Sequence, residues 1–213
     1  MLLVDAGDHS QGTAYGGMDE GRTIISLMNA AGYDLATLGN HEFDYGQEEL
    51  EKRIKEAKYN IVSANIIVDA TGKNYVQPYT IIQKGNVKVG IFGLSTPETA
   101  VSTSPKNVRG LTFLDHEELF KCAQKQVDDL KSANCDVIVA LAHIGSTKGK
   151  GYATSEEVIA NVKGIDVYID GHDHTVKNKQ NPGSALHVST GSRTENVGVV
   201  KYQDGKWLED SYQ

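Results

Sequence analysis

The chain has 213 residues, 39% of them hydrophobic and 23% charged, an ordinary globular profile with ample capacity for a core. No apolar run approaches the roughly 20 residues that cross a bilayer as a helix, and the opening MLLVDAGD is no signal peptide as it stands. A formal net charge of −7, with no concentrated Lys/Arg stripe, disfavours a long nucleic-acid partner, whose binding rests on neutralising phosphates.

Residues 2–5 carry a short strand pattern. Ile24, Leu27, Met28 and Ala31 then recur at helical spacing, with Gly32 as the expected stop. Residues 35–38 read as a strand, 47–58 as a helix rich in Glu and Lys, and 61–64 as a further strand. Strand patterns at 79–83 and 87–93 flank Lys84-Gly85-Asn86, a hairpin or tight turn. The stretch 95–110 is polar, contains Pro97 and Pro105, and reads as a loop. Asp115 followed by Glu118 has capping-box spacing, and Leu119, Phe120, Ala123, Val127 and Leu130 give that helix its buried stripe. A strand at 137–142, a helix opened by Thr154 with Glu157, and a strand at 167–169 follow. Residues 186–189 and 197–202 look like strands, with Asp204-Gly205 a turn signal before Trp207. Alternating strands and helices with an antiparallel tail indicate one α/β domain with a mixed sheet system. Cys122, in a helical pattern, and Cys135, just before a strand, read as unpaired packing residues.

Four of the apolar runs end in residues of metal-ligand type: Asp8, Asn40-His41, His143, and His172-Asp173-His174. Parallel strands deliver their carboxyl ends to one shared edge of a sheet, where α/β proteins build their sites. Taken singly, Asp8 is more often a turn residue, and His143 a satisfied histidine at a strand end. Together they offer one carboxylate, one amide and several imidazoles, a set suited to divalent transition metals. Bound divalent cations of this kind activate water near neutral pH, which points to a metal-dependent hydrolase site. An imidazole beside a carboxylate, as His41 near Asp44, suits general-acid work. His9, His116 and His187 read as structural or solvated, and Glu42 and Asn65 as support.

In order, Asp5-Ala6-Gly7-Asp8, Gly39-Asn40-His41-Glu42-Phe43-Asp44, Ser63-Ala64-Asn65, Thr96-Pro97-Glu98-Thr99 and Gly171-His172-Asp173-His174 resemble the calcineurin-like metallophosphoesterases. Within them the resemblance is to the branch of 5′-nucleotidases, UDP-sugar hydrolases and 2′,3′-cyclic nucleotide phosphodiesterases. It implies an α/β/β/α fold, mixed sheets sandwiched by helices, and hydrolysis of nucleotides or related phosphate esters. It implies Asp8 as a carboxylate bridging two divalent ions (zinc, manganese or similar), with Asn40, His143 and His172 completing one and His174 serving the other. It gives His41 contact with the phosphate and assistance at the leaving oxygen, oriented by Asp44, and gives Asn40 a part in substrate binding. The family's first strand, ending Asp-x-His, is not seen before Asp8, nor is the C-terminal substrate domain after the last hairpin.

The expectation is therefore an incomplete catalytic domain over 1–213 with a weakened second metal position. An unpaired sheet edge there invites self-association. The alternative is a catalytically impaired domain retaining one ion. The branch further implies an extracytoplasmic location.

Overall fold

The computed structural model describes residues 1–148, 151–180, 185–203 and 206–212. In chain order these form β1 (Val4–Asp5), α1 (Ala14–Gly17), α2 (Arg22–Ala31), β2 (Leu35–Thr37), a 3-10 turn (His41–Phe43), α3 (Gln47–Glu56), β3 (Asn60–Val62) and β4 (Ile66–Val68). There follow β5 (Lys73–Asn74), β6 (Tyr79–Lys84), β7 (Val87–Ser95), α4 (Thr99–Ser102), β8 (Leu111–Phe113), α5 (His116–Ser132), β9 (Val137–His143) and α6 (Ser155–Asn161). The end comprises β10 (Val167–Ile169), β11 (Val176–Gln180), β12 (Leu186–Thr190), β13 (Val197–Gln203) and β14 (Lys206–Tyr212).

Two sheets matter for the site. The first is parallel, in the order β1-β2-β3. The second has the order β11-β12-β10-β9-β7-β6. Its inner strands run parallel, and β6 and β11 pair antiparallel at its edges. The ligand-type residues thus lie at the carboxyl ends of two sheets, not along one edge as expected.

Alternation along the strands explains why the sheets stack. Leu35, Val62, Ile91 and Leu141 form a dry seam between them, joined by Val4, Val89, Val139 and Ile169. The neighbouring positions Phe92, Leu94, Ile138, Ala140 and Ala142 face the other way, against Leu119, Ala123, Val127 and Leu130 of α5 and Val158 of α6. On the far side, Ile25, Met28 and Leu50 from α2 and α3 pack on Ala36, Leu38 and Ile61. A two-residue period along strands in two sheets, each also backed by helices, produces the four-layer α/β/β/α stack. Among the described residues, no helix is long and apolar enough to cross a membrane.

Local signals act as physical chemistry requires, with some corrections. Gly32 ends α2 at φ 78°, its N–H returning to Met28 and Asn29 carbonyls. The buried face of α2 runs through Ile25 and Met28, whereas Leu27 is 58% exposed and Ala31 is exposed. Apolar residues on both sides of that helix hid the choice of face. Thr154 and Glu157 form a reciprocal capping box on α6. Asp115 caps α5 without one: its carboxylate accepts from His116 N (2.8 Å) and Ala153 N (3.0 Å), tying α5 to the start of α6. The expected loop at 95–110 begins with the last residue of β7 and contains the single turn α4. Cys122 and Cys135 are free, and burial pushes the Cys122 thiol up to about 11. The expected Asp204-Gly205 turn lies outside the described residues.

Candidate metal centre

The first strand-end turn is held by Glu42. This carboxylate, 3% exposed, accepts from the backbone N–H groups of Asp8 (2.8 Å), Gly39 (2.7 Å) and Ser10 (3.1 Å), and from Ser10 Oγ (3.0 Å). It thereby locks the turn after β1 to the turn after β2. Asp8 sits at φ 63°, a left-handed conformation that costs a non-glycine residue of order 1–3 kcal/mol. Such strain is retained where the surroundings demand it. A Cβ on Gly39 would lie 2.2 Å from Asp8 Oδ1, so the two turns approach more closely than any side chain there permits. His41 N donates to Asp8 Oδ1 at 2.8 Å.

The second pair of turns is held by Asp170. Its carboxylate, 5% exposed, accepts from the N–H groups of Ile144 (3.2 Å), Gly145 (3.1 Å) and Gly171 (3.0 Å), and from Ser155 Oγ (2.5 Å). His187 Nε2 lies 3.1 Å away. The turns carrying His143 and His172 are therefore fixed to each other from below. A Cβ on Gly171 would stand 2.8 Å from His143 Nδ1, so glycine permits this approach as well.

Asp8, His143 and His172 each present a ligand atom within 4.8 Å of the others. His143 is 2% exposed, and its Nδ1 donates to the Ala6 carbonyl at 2.6 Å, which turns Nε2 toward Asp8. His143 Nε2 lies 2.9 Å from Asp8 Oδ2, yet it lacks the alignment of a hydrogen bond and has no other partner. Two donor atoms this close without a bond between them are what co-ligands of a single ion look like. Asn40 is 5% exposed, and its Oδ1 is likewise buried without a partner. A buried amide oxygen left unpaired costs of order 1–3 kcal/mol, which a cation at that oxygen would relieve. The donor set fits a divalent ion.

Electrostatics follow from this geometry. Burial opposes charge on Asp8, but the His143 imidazole and the His41 N–H hold its carboxyl down at about 2. Burial likewise disfavours charge on His143, and Asp8 outweighs it, raising the imidazole to about 9. Burial and the neighbouring His143 lower His172. His41, 43% exposed at its side chain, places Nδ1 2.6 Å from Asp44 Oδ2. Burial lowers its proton affinity, but the bond to Asp44 and the charge of Asp8 more than compensate and raise it. Asp44 is itself braced by Thr103 Oγ1 (3.1 Å) and, through its carbonyl, by Asn107 Nδ2 (2.9 Å).

The remaining histidines separate cleanly. His174 is exposed at φ 56° and stands outside the Asp8–His143–His172 group. The turn before it is pinned by Asp173, which accepts from Ser146 N at 2.7 Å. His9 is buried against Asp5 (3.0 Å) and Glu42 (3.8 Å). His187 is buried on Asp170, and His116 is half exposed beside Asp115. Asn65 supports the β7 end, bonding Ser95 O (2.7 Å) and Ser95 N (2.8 Å). Sequence reasoning quoted Glu98 only within a motif and gave no role to it or to Asp170; Glu98 Oε2 lies 2.9 Å from His172 Nε2. Glu98 and His172 are 74 positions apart, and no local pattern reports that contact.

The family model for calcineurin-like phosphoesterases matches residues 1–176. The 5′-nucleotidase of Homo sapiens is 35% identical over 221 residues, covering 98% of this chain and 37% of that protein. The 2′,3′-cyclic-nucleotide 2′-phosphodiesterase/3′-nucleotidase of Haemophilus influenzae is 36% identical over 247 residues, covering 99% of this chain and 37% of that one. The chain thus spans well under half the length of either relative. Among solved structures, the calcineurin-like phosphoesterase YfkN from Bacillus subtilis superposes with a TM-score of 0.81 at 31% identity, over 99% of this chain and 75% of that one.

Proposed function

The chain belongs to the calcineurin-like phosphoesterase family, and from that premise we propose that it hydrolyses phosphate esters of nucleotides at a divalent-metal centre. Asp8, Asn40, His143 and His172 would hold one ion, and Asp8 with His174 a second. The observation that carries this reading is the grouping of Asp8 and His172 around the buried His143, together with a buried Asn40 oxygen that has no hydrogen-bond partner. Bound divalent ions there supply Lewis acidity toward a phosphoryl group and lower the pKa of water.

The chain's own groups do the rest. Asn40 and His41 receive the phosphate at the mouth of the site. Asp44 holds His41 by Nδ1, leaving Nε2 to donate a proton to the leaving oxygen as water attacks phosphorus and the ester P–O bond breaks. The raised proton affinity of His41 favours the protonated form that this role requires. Nucleotide substrates are supported by the names of the two relatives, and an extracytoplasmic setting rests on the resemblance to that branch.

A second reading, a non-catalytic domain that keeps one ion, is favoured by one observation: His174 is exposed and outside the three-residue group. Metal content after Mn²⁺ loading, followed by hydrolysis of a nucleoside monophosphate, separates the two. The enzyme reading expects turnover that Asn40→Ala abolishes, and that His41→Ala lowers about 10²–10⁴-fold with metal content unchanged. One ion per chain and no turnover with any divalent metal would establish the second reading.

A further inference from the structure

We infer that Glu98 is the positioning residue for His172, holding its ring with the proton on Nε2 so that Nδ1 is the nitrogen left for a cation. The contact is specific: Glu98 Oε2 lies 2.9 Å from His172 Nε2, and the two side chains are 20% and 13% exposed. The inference rests on the metal-centre reading for its purpose, though not for its geometry.

Glu98 is well placed to act as a fixed acceptor. Its backbone N–H bonds Thr96 Oγ1 (3.3 Å), and its carbonyl accepts from Val101 N and Ser102 N, both at 2.9 Å. The carboxylate is therefore carried on a pinned turn at the end of β7, not on a free loop. His172 needs such a partner more than most histidines. Its backbone adopts φ 82°, and its ring is hemmed by His143 (centroids 5.1 Å apart) and by Gly145, where a Cβ would come within 3.1 Å of His172 Cδ2. Ring position is thus set by packing, but packing does not choose which nitrogen carries the proton. A carboxylate at Nε2 does choose, because an anionic oxygen stabilises an N–H and repels a lone pair.

His143 is oriented by the opposite choice, with Nδ1 bonded to the Ala6 carbonyl and Nε2 left for a cation. The two imidazoles are thereby held at opposite ring nitrogens by two different acceptors. Outer partners of this kind are worth about 10–100-fold in metal affinity.

The test compares Glu98→Ala and Glu98→Gln with the wild type, using Mn²⁺ alone as the probe and ¹⁵N–¹H correlation spectra of the histidine rings in metal-free protein. The Ala variant is expected to lose about 10–100-fold in Mn²⁺ affinity, and its His172 to lose the single Nε2–H tautomer. The Gln variant keeps an acceptor oxygen at the same reach but not its charge, and is expected to fall between the wild type and the Ala variant in both Nε2–H population and affinity, with all three proteins melting at similar temperatures. Wild-type spectra showing Nδ1–H at His172, or an Ala variant with unchanged tautomer and affinity, would overturn the inference. A wild type that shows the Nε2–H tautomer but binds no Mn²⁺ would instead overturn the metal reading and leave the Glu98 assignment standing.

Discussion

Glu42 shows how one residue can hold a site without touching what the site binds. It accepts four hydrogen bonds from the two turns that carry Asp8 and Asn40, and it lies 3.8 Å from the buried His9 ring. Removing it leaves several buried N–H groups unpaired at about 1–3 kcal/mol each, so the loss far exceeds that of an exposed carboxylate. Glu42→Ala is expected to cost on the order of 3–5 kcal/mol of stability, as for a buried charge stripped of its partner. Urea titration measures this directly, and a change below about 1 kcal/mol would show that the turns do not depend on Glu42. The residue types at the strand ends were legible in the sequence, since a ligand-type side chain after an apolar run is a local pattern. The contacts of Glu98 and Asp170 were not, because each joins turns far apart in the chain.

At the scale of elements, the sheet-to-sheet seam and the helix-facing layer have different consequences for the site. Leu141, on β9, lies in the seam two residues before His143, whereas Leu119, on α5, packs on the opposite face of the same sheet. Both are fully buried. Truncating either to Ala is expected to cost about 2–5 kcal/mol. The difference lies in metal affinity: Leu141→Ala loosens the register between the two ligand-bearing sheets and weakens Mn²⁺ binding. Leu119→Ala leaves the affinity near wild type. Equal losses of affinity at equal losses of stability would mean that binding simply tracks folding. Strand and helix order were readable from periodicity. The face of α2 was not, because Ile24, Ile25, Leu27 and Met28 satisfy more than one helical stripe and only packing selects Ile25 and Met28. The separation of β1–β2–β3 from the larger sheet was implied by the family resemblance alone, because strand patterns do not encode which sheet a strand joins.

Taken as a whole, the molecule places a binding edge between two stacked sheets. Two turns come from each sheet, and carboxylates tie them in pairs: Glu42 for the first sheet and Asp170 for the second. The two halves meet where His143 Nδ1 donates to the Ala6 carbonyl, and where Asp8, His143 and His172 approach one another directly. A cation held by Asp8, His143 and His172 would add a further link between the two sheets. The measurement that tests this most directly is anomalous diffraction from crystals grown with Mn²⁺. The account predicts a peak in coordinating contact with Asp8, Asn40 Oδ1, His143 Nε2 and His172 Nδ1. Manganese absent from that point, or bound only elsewhere on the surface, would contradict it.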